Sequence, residues 1–420
     1  MKLLLLIILA AAPLCLPAKR RFDNEKVFRV TPQNEEEVNL LKYLDKVMKL
    51  DFWKPESSHH VIPKTVVDFH ANKEDSEIII GYFDQKRINY RILFQNVQEV
   101  VESQFKKNGQ PQKNYNNMKF EKYRTWPEIA TWCYYLSITR PDLVSCIPIG
   151  NTYEGRPILI FKVGSPKPKN KDIFLECGAH AREWISPAFC QWFVNEAIQS
   201  YGKDKTMTKL MDSANFHVLP VFNVDGYVWT WTYDRMWRKN RSPIPNAKCV
   251  GTDLNRNFNI SWNQIDTNET PCSEIYSGSA AESENEVKAV TSYIRDKLTS
   301  FKAYISFHSC GQMLMYPYGY TEKEAPNNDK LNQIAVSALK SLSSLYGTNY
   351  TYGPIATTIY KVSGCSIDWI YDEGVKYSFV FELRDECEYN FLLPEYEIKP
   401  TCKETMLAVK TIASHALGLV

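Results

Sequence analysis

The chain has 420 residues, with 50 Lys and Arg against 48 Asp and Glu, a net charge of +2 and 44% apolar residues. Such balance argues against nucleic acid as a main partner. The length suffices for a large core in two to three domains, and no repeat or low-complexity tract breaks it.

Lys2, the apolar run Leu3–Ala12 and the small Ala18 before Lys19-Arg20-Arg21 read as a signal peptide over residues 1–18. It is too short and wrongly flanked for a membrane anchor, and no later run is long enough to span a bilayer. The expectation is a secreted, extracellular protein that passes an oxidising compartment. Of eleven cysteines, ten remain once Cys15 leaves. Closeness in sequence suggests Cys133 with Cys146, Cys177 with Cys190, Cys249 with Cys272 and Cys387 with Cys402, leaving Cys310 and Cys365; spacing alone does not decide connectivity. Asn259, Asn268 and Asn349 each open an acceptor tripeptide for glycosylation.

Residues 19–105 have the texture of a small α+β domain. Val27–Val30 suggests a strand. Asn34 caps a helix with Val38, Leu41, Leu44 and Met48 at helical spacing. Ile88, Tyr90, Ile92 and Phe94 suggest another strand, and Val97–Phe105 a second helix. Residues 106–118 are polar and basic, with Gly109 and Pro111. They form a linker, either a plain tether or a protease-sensitive activation segment with Lys107 and Lys113 as cut sites. From residue 119 to 420, apolar runs alternate with longer helical patterns, which indicates one large α/β domain with a largely covered sheet. Its candidate strands include Ile158–Phe161, Val218–Val221, Ala303–Phe307 and Ser378–Phe381. Ser283-Glu284-Asn285-Glu286 reads as a capping box ahead of Val287, Val290 and Ile294.

The chemistry starts at His180-Ala181-Arg182-Glu183, where the apolar strand Ile173–Leu175 gives way to the small residues Cys177-Gly178-Ala179. Imidazole nitrogen and carboxylate oxygen are both zinc ligands, and a catalytic zinc keeps three protein ligands and one open position. The pattern is not the His-Glu-x-x-His helix, so a third ligand must come from elsewhere. His308 ends an apolar strand before Ser309-Cys310-Gly311 and suits that role; alternatively it is a hydrogen-bonded core histidine. His217 and His415 read as structural. Glu382 is a carboxylate inside Ser378–Leu383, which costs free energy unless paired. Either it pairs with Arg384 or Arg256, or it is a general base.

Taken together, His180-x-x-Glu183, Asn255-Arg256-Asn257, His308-Ser309, Tyr360 and Phe381–Arg384 resemble in order and spacing the zinc metallocarboxypeptidases of the carboxypeptidase A/B family. Ala188–Trp192 and Lys399–Cys402 look closest to its A-type branch. The likeness covers nearly everything after residue 18. It implies a mixed, largely buried sheet flanked by helices on both faces, preceded by an inhibitory pro-domain (19–105) with an antiparallel sheet. It further implies one Zn²⁺ held by His180, Glu183 and His308 with water in the fourth position, and Asp253 orienting His180. Glu382 is then the general base and Arg238 the oxyanion partner, while Arg256, Asn255 and Tyr360 hold a peptide's C-terminal carboxylate. Arg182 and Arg235 serve outer subsites.

By the same likeness Ile367 is the base of the pocket for the last side chain, where B-type relatives carry an acid. Met315, Ile355, Ile359, Val362 and Val380 are its walls. The implied reaction is release of aromatic or branched aliphatic C-terminal residues from peptides and proteins, after a trypsin-like protease cuts the linker, by a protein that is a monomer by default. Cys310 stands where relatives usually have Tyr, Cys365 where Gly or Ser is usual, and Val380 where Thr is common. If Cys310 and Cys365 pair, they staple the third-ligand loop to the specificity loop. The rival readings are a non-catalytic secreted zinc or peptide-binding module, against which Glu382 and Arg238 speak, and a B-type or acid-selective enzyme, against which Ile367 speaks.

Overall fold

The computed structural model describes residues 18–48, 50–105, 120–167, 169–265 and 270–420. Residues 1–17 of the signal peptide, all of the linker with Lys107 and Lys113, and Asn268 lie outside them. In the N-terminal domain, β1 (Lys26–Val30), α1 (Glu35–Met48), β2 (Asp51–Lys54), β3 (Val67–Ala71), α2 (Lys73–Lys86), β4 (Tyr90–Phe94) and α3 (Val97–Ser103) follow in order. All strand pairs are antiparallel, in the order β2-β3-β1-β4. Asn34 caps α1 as expected, its Oδ1 accepting from the Glu37 amide at 3.0 Å. Ile88 precedes β4 rather than joining it. Val38, Leu41 and Leu44 of α1 bury with Phe28 and Val30 of β1 and with Phe69 of β3, which covers one face of the sheet.

The large domain runs α4 (Trp126–Thr139), β5 (Val144–Asn151), β6 (Pro157–Val163), β7 (Asp172–Cys177), α5 (Ile185–Ser200), α6 (Lys205–Ser213), β8 (Asn215–Leu219), α7 (Val224–Thr232) and α8 (Asn285–Arg295). It continues with β9 (Phe301–Ser309), β10 (Met313–Tyr316), α9 (Asn328–Tyr346), β11 (Thr351–Pro354), α10 (Ile355–Thr358), α11 (Ser366–Asp372), β12 (Ser378–Leu383) and α12 (Ile398–Leu417). Eight strands lie in the order β11-β10-β12-β9-β7-β8-β6-β5. β12, β9, β7 and β8 form a parallel centre, and antiparallel pairs join β10, β6 and β5 to it. Both faces are covered, as a parallel block requires. Along β7, Ile173, Leu175 and Cys177 enter one apolar cluster and Phe174 the other. Along β12, Phe379, Phe381 and Leu383 take the first side and Val380 the second.

Three local expectations are corrected. β8 stops at Leu219, so Pro220 and Val221 belong to the following turn. The capping box at 283–286 does not form: Glu284 is the N-cap, without a side-chain cap bond, and Glu286 turns into the protein, to Asn240. The cysteine pairing is right for Cys133–Cys146, Cys177–Cys190 and Cys249–Cys272 and wrong for the rest. Cys310 bonds Cys387, leaving Cys365 and Cys402 as buried thiols. The register explains it. β9 and β12 run parallel with Ser309 opposite Leu383, so the loops that leave their ends meet, whereas Cys402 is buried on α12. The staple therefore joins the loop after His308 to the loop after Glu382, not to the specificity loop.

Asn259 and Asn349 are exposed, as glycan acceptors must be. No described helix is long and apolar enough to cross a membrane.

Candidate metal centre and substrate pocket

The carboxyl ends of parallel strands are where α/β sheets open a crevice, and three site elements leave from there. After β7, Gly178 turns the chain at φ +71; a Cβ would stand 3.1 Å from Pro187 and 3.2 Å from the Val221 backbone. The Gly178 amide donates to Ser186 Oγ at 2.9 Å, and Ser186 Oγ donates to the Phe307 carbonyl on β9. This ties the turn bearing His180 and Glu183 to the strand bearing His308. All three side chains are buried, and their ligand atoms lie within 4.8 Å of one another.

His180 Nδ1 is 2.7 Å from Glu183 Oε1; His308 Nδ1 is 3.1 Å from both Glu183 Oε2 and His180 Nδ1. Three electron-pair donors thus converge in a buried space. Ligands about 2.0–2.2 Å from a tetrahedral zinc stand roughly 3.3 Å apart, so this spacing and this donor set fit the ion. On the far side of the ring, His180 Nε2 faces Asp253 Oδ1 at 3.2 Å, the arrangement that sets a ligand's tautomer and orientation.

Around this centre, a pocket is lined by His180, Asn255, Arg256, His308, Tyr360 and Glu382 on its polar side. Met315, Ile355, Ile359, Val362, Cys365, Ile367 and Val380 form its apolar side. Every pocket residue expected from the sequence is present, and Cys365 joins them as a thiol. Gly364, at φ +68, lets the loop before Ile367 lie against the Arg256 carbonyl, where any Cβ would collide. Asp368, next to Ile367, is not a second acid for a cationic side chain. Both its oxygens accept backbone amides, from Gly319 at 2.8 and 3.0 Å and from Tyr320 at 3.0 Å, and burial pushes its carboxyl up to about 6.

Glu382, opposite His308 in the β9–β12 register, is half-buried. Burial first, then the Glu183 and Glu56 carboxylates, raise its pKa well above the usual range. Neither arginine considered as its partner takes it. Arg384 bonds Glu404 and Glu397, and Arg256 bonds Glu56. Arg238 is fully buried on Asp253, at 2.7 and 3.3 Å. Arg182 lines the interface with the N-terminal domain, its Nη1 on Asp51 at 2.9 and 3.0 Å. Arg235 sits behind it and does not reach the pocket. Its donors go to Gln104 Oε1 and the Arg182 and Phe391 carbonyls, its guanidinium stacks on Trp184 at 3.7 Å, and burial lowers its pKa to about 9. His217 is structural, bonded to Tyr293 at 2.7 Å.

Besides Cys365, a second pocket residue was not foreseen. Glu56, in the loop after β2, reaches from the N-terminal domain between two arginines, 2.8 Å from Arg238 and 2.6 Å from Arg256. Burial works against its charge, but Arg238 and Arg256 overcome this and hold its carboxyl well below the ordinary range. Beside it, His60 stacks on Tyr360 with ring centroids 4.1 Å apart. Free space in the pocket is about 50 Å³, room for a few waters at roughly 10–15 Å³ each by this measure. In the sequence Glu56 is one acid among 48; no spacing rule links it to Arg256, 200 residues on.

The sheet thus places two histidines and a glutamate at its carboxyl edge, a donor set suited to zinc, beside a pocket whose Arg256 and the neighbouring Arg238 are both held by Glu56. The chain belongs to the zinc carboxypeptidase family: the family's zinc carboxypeptidase domain matches residues 129–408 and its carboxypeptidase activation peptide residues 28–104. It is 51% identical to mast cell carboxypeptidase A of Homo sapiens over 99% of both chains. It is 48% identical to carboxypeptidase B of Bos taurus over 94% of both. The crystal structure of thrombin activatable fibrinolysis inhibitor superposes with a TM-score of 0.89 at 38% identity, covering 95% of this chain and all of that one. The protein is therefore a zinc metallocarboxypeptidase that carries its own activation peptide.

Proposed function

We propose that this chain is a secreted proenzyme whose processed form releases aromatic or branched aliphatic residues from the C-termini of peptides and proteins. The apolar pocket floored by Ile367, with Asp368 committed to backbone amides, carries this reading. A cationic side chain there would be desolvated without a partner, which costs several kcal/mol. Four disulfides fit an oxidising route of export, and residues 1–18 supply the signal. All site residues come from one chain, so a monomer suffices.

Bound zinc supplies Lewis acidity, acidifying water and polarising an acyl oxygen. The protein's residues do the rest. Arg256 grips the terminal carboxylate through its guanidinium fork, with the Asn255 amide and the Tyr360 hydroxyl beside it. Arg238 faces the scissile carbonyl, where negative charge grows in the transition state more than in the ground state, so its contribution appears in rate. Glu382 accepts the proton of the attacking water and returns it to the leaving amine. Arg182 remains as a cation for residues further along the peptide once Asp51 is gone; Arg235 braces Arg182 rather than binding substrate. On matched peptides ending in Phe, Leu, Arg or Glu, the trypsin-treated protein should release Phe and Leu only, and a zinc chelator should abolish this. Release of Arg or Glu at comparable rates would sink the selectivity, and no release from a zinc-loaded protein would favour a binding module.

Domain 19–105 acts as the inhibitor, and residues 106–118 as the segment cut on activation, at Lys107 or Lys113. Glu56 occupies both arginines that the substrate's oxygens need. Glu56→Gln in the uncut chain should therefore raise its low residual activity on a Phe-terminated peptide about tenfold or more, with no change in the processed enzyme. Equal activity before and after trypsin in the wild type would refute the inhibitory role. Because the bound pKa of Glu56 is depressed, its ion pairs persist above the ordinary glutamate range and weaken only as pH falls below it. Mild acidification between pH 8 and 6 is thus not expected to release this contact.

A further inference from the structure

The segment bearing Arg238 and the turn bearing Arg256 are both fastened to one buried residue that touches neither arginine. We propose that Glu284 is a positioning residue that sets the separation of Arg238 and Arg256, acting through Asn240 and Asn257. This rests on the roles given above to the two arginines.

Glu284 opens α8 but does not cap it with its side chain, forgoing the bond a helix start normally uses. Its Oε2 instead accepts from Asn240 Nδ2 at 2.7 Å and from Ser242 Oγ at 2.5 Å, and its own amide donates to Asn257 Oδ1 at 3.1 Å. Asn240 and Asn257 are fully buried. Asn240 pairs with Thr252 twice, its amide donating to the Thr252 carbonyl at 3.0 Å and its Oδ1 accepting from the Thr252 amide at 2.7 Å. That fixes residues 238–240 against residues 252–253, and with them Arg238 on Asp253.

Asn257 follows Arg256 directly. Its Nδ2 donates to the Ser277 and Ala280 carbonyls and to Ser283 Oγ, at 2.8 to 3.0 Å. Glu286 stands behind, its Oε2 3.2 Å from Asn240 Nδ2. Burial pushes its carboxyl up to about 7, so it gives up much of its charge near neutrality.

The two arginines must meet oxygens of one substrate, the scissile carbonyl and the terminal carboxylate, whose separation is set by covalent bonds. An ångström of error at such a distance costs up to about a hundredfold in rate. The test uses processed, zinc-loaded enzyme titrated for active sites with a tight-binding inhibitor, so that misfolded protein is not counted. Asn240→Ala should lower kcat about tenfold with KM within about twofold. Asn257→Ala should raise KM about tenfold with kcat nearly unchanged, and Glu284→Ala, which keeps the backbone amide on Asn257 but loses the acceptor for Asn240, should lower kcat as Asn240→Ala does. Glu284→Gln, which keeps an acceptor for Asn240, should recover most of the loss.

If Glu284→Ala keeps kcat and KM within about twofold per active site and loses only active fraction, Glu284 merely stabilises the fold and the proposal falls. Arg238→Ala and Arg256→Ala run beside these variants. Should they not divide into a kcat and a KM effect, the assignment of the arginines is wrong and the inference falls with it.

Discussion

Glu382→Gln in the processed enzyme is expected to lower kcat on a Phe-terminated peptide by about a hundred- to ten-thousand-fold, the range for losing a positioned general base. Glutamine keeps the shape and removes the proton acceptor, so bound zinc should stay at one per chain. Glu382 is suited to the task by its place. It lies near the end of β12 beside His308, and Arg384 and Arg256 are engaged by other carboxylates. Burial, Glu183 and Glu56 keep its pKa up in the uncut chain. Departure of Glu56 removes one of these influences. Single-turnover rates and metal content check the prediction. A loss under tenfold with zinc retained would assign the base elsewhere.

A second large effect is expected for Ile367→Asp. Its carboxylate would stand on an apolar floor among Met315, Ile355 and Val380, all nearly inaccessible to solvent. With a Phe-terminated peptide the charge stays buried and unpaired, a penalty of about 3–5 kcal/mol, or roughly a hundred- to several-thousandfold in kcat/KM. With an Arg-terminated peptide the same charge gains a partner. The ratio of Phe to Arg release should therefore invert. Asp368 will not already have provided this, because Gly319 and Tyr320 hold its oxygens. Should Ile367→Asp keep its Phe preference, Ile367 is not the floor of the pocket and the selectivity must be reassigned.

The elements most readable in the chain were those whose pattern is local. Val27–Val30, Asn34 with its helix, and Ser378–Phe381 each lie where periodicity placed them. So do the three disulfides that close loops of 13 to 23 residues. Strands β2 and β3 and helix α2 went unread. Trp53 is buried partly through Phe391 of the large domain, and β3 is buried at every position, so neither strand alternates. The box at Ser283–Glu286 looked local and was not: Asn240, from another segment, takes the side chains of both Glu284 and Glu286, and Asn257 takes the Glu284 amide.

From sequence, then, came the candidate zinc ligands His180, Glu183 and His308, the proposed base and the proposed pocket walls, because the family resemblance rests on a few chemically distinctive residues spaced along a chain of otherwise ordinary composition. Strand order decided the rest. Parallel neighbours β9 and β12 put Cys310 beside Cys387, 77 positions away. Packing of the two domains set Glu56 between Arg238 and Arg256 and stacked His60 on Tyr360. Such contacts join residues up to 300 positions apart, and their energy comes from desolvated charge and ring contact that exist only once both surfaces are built.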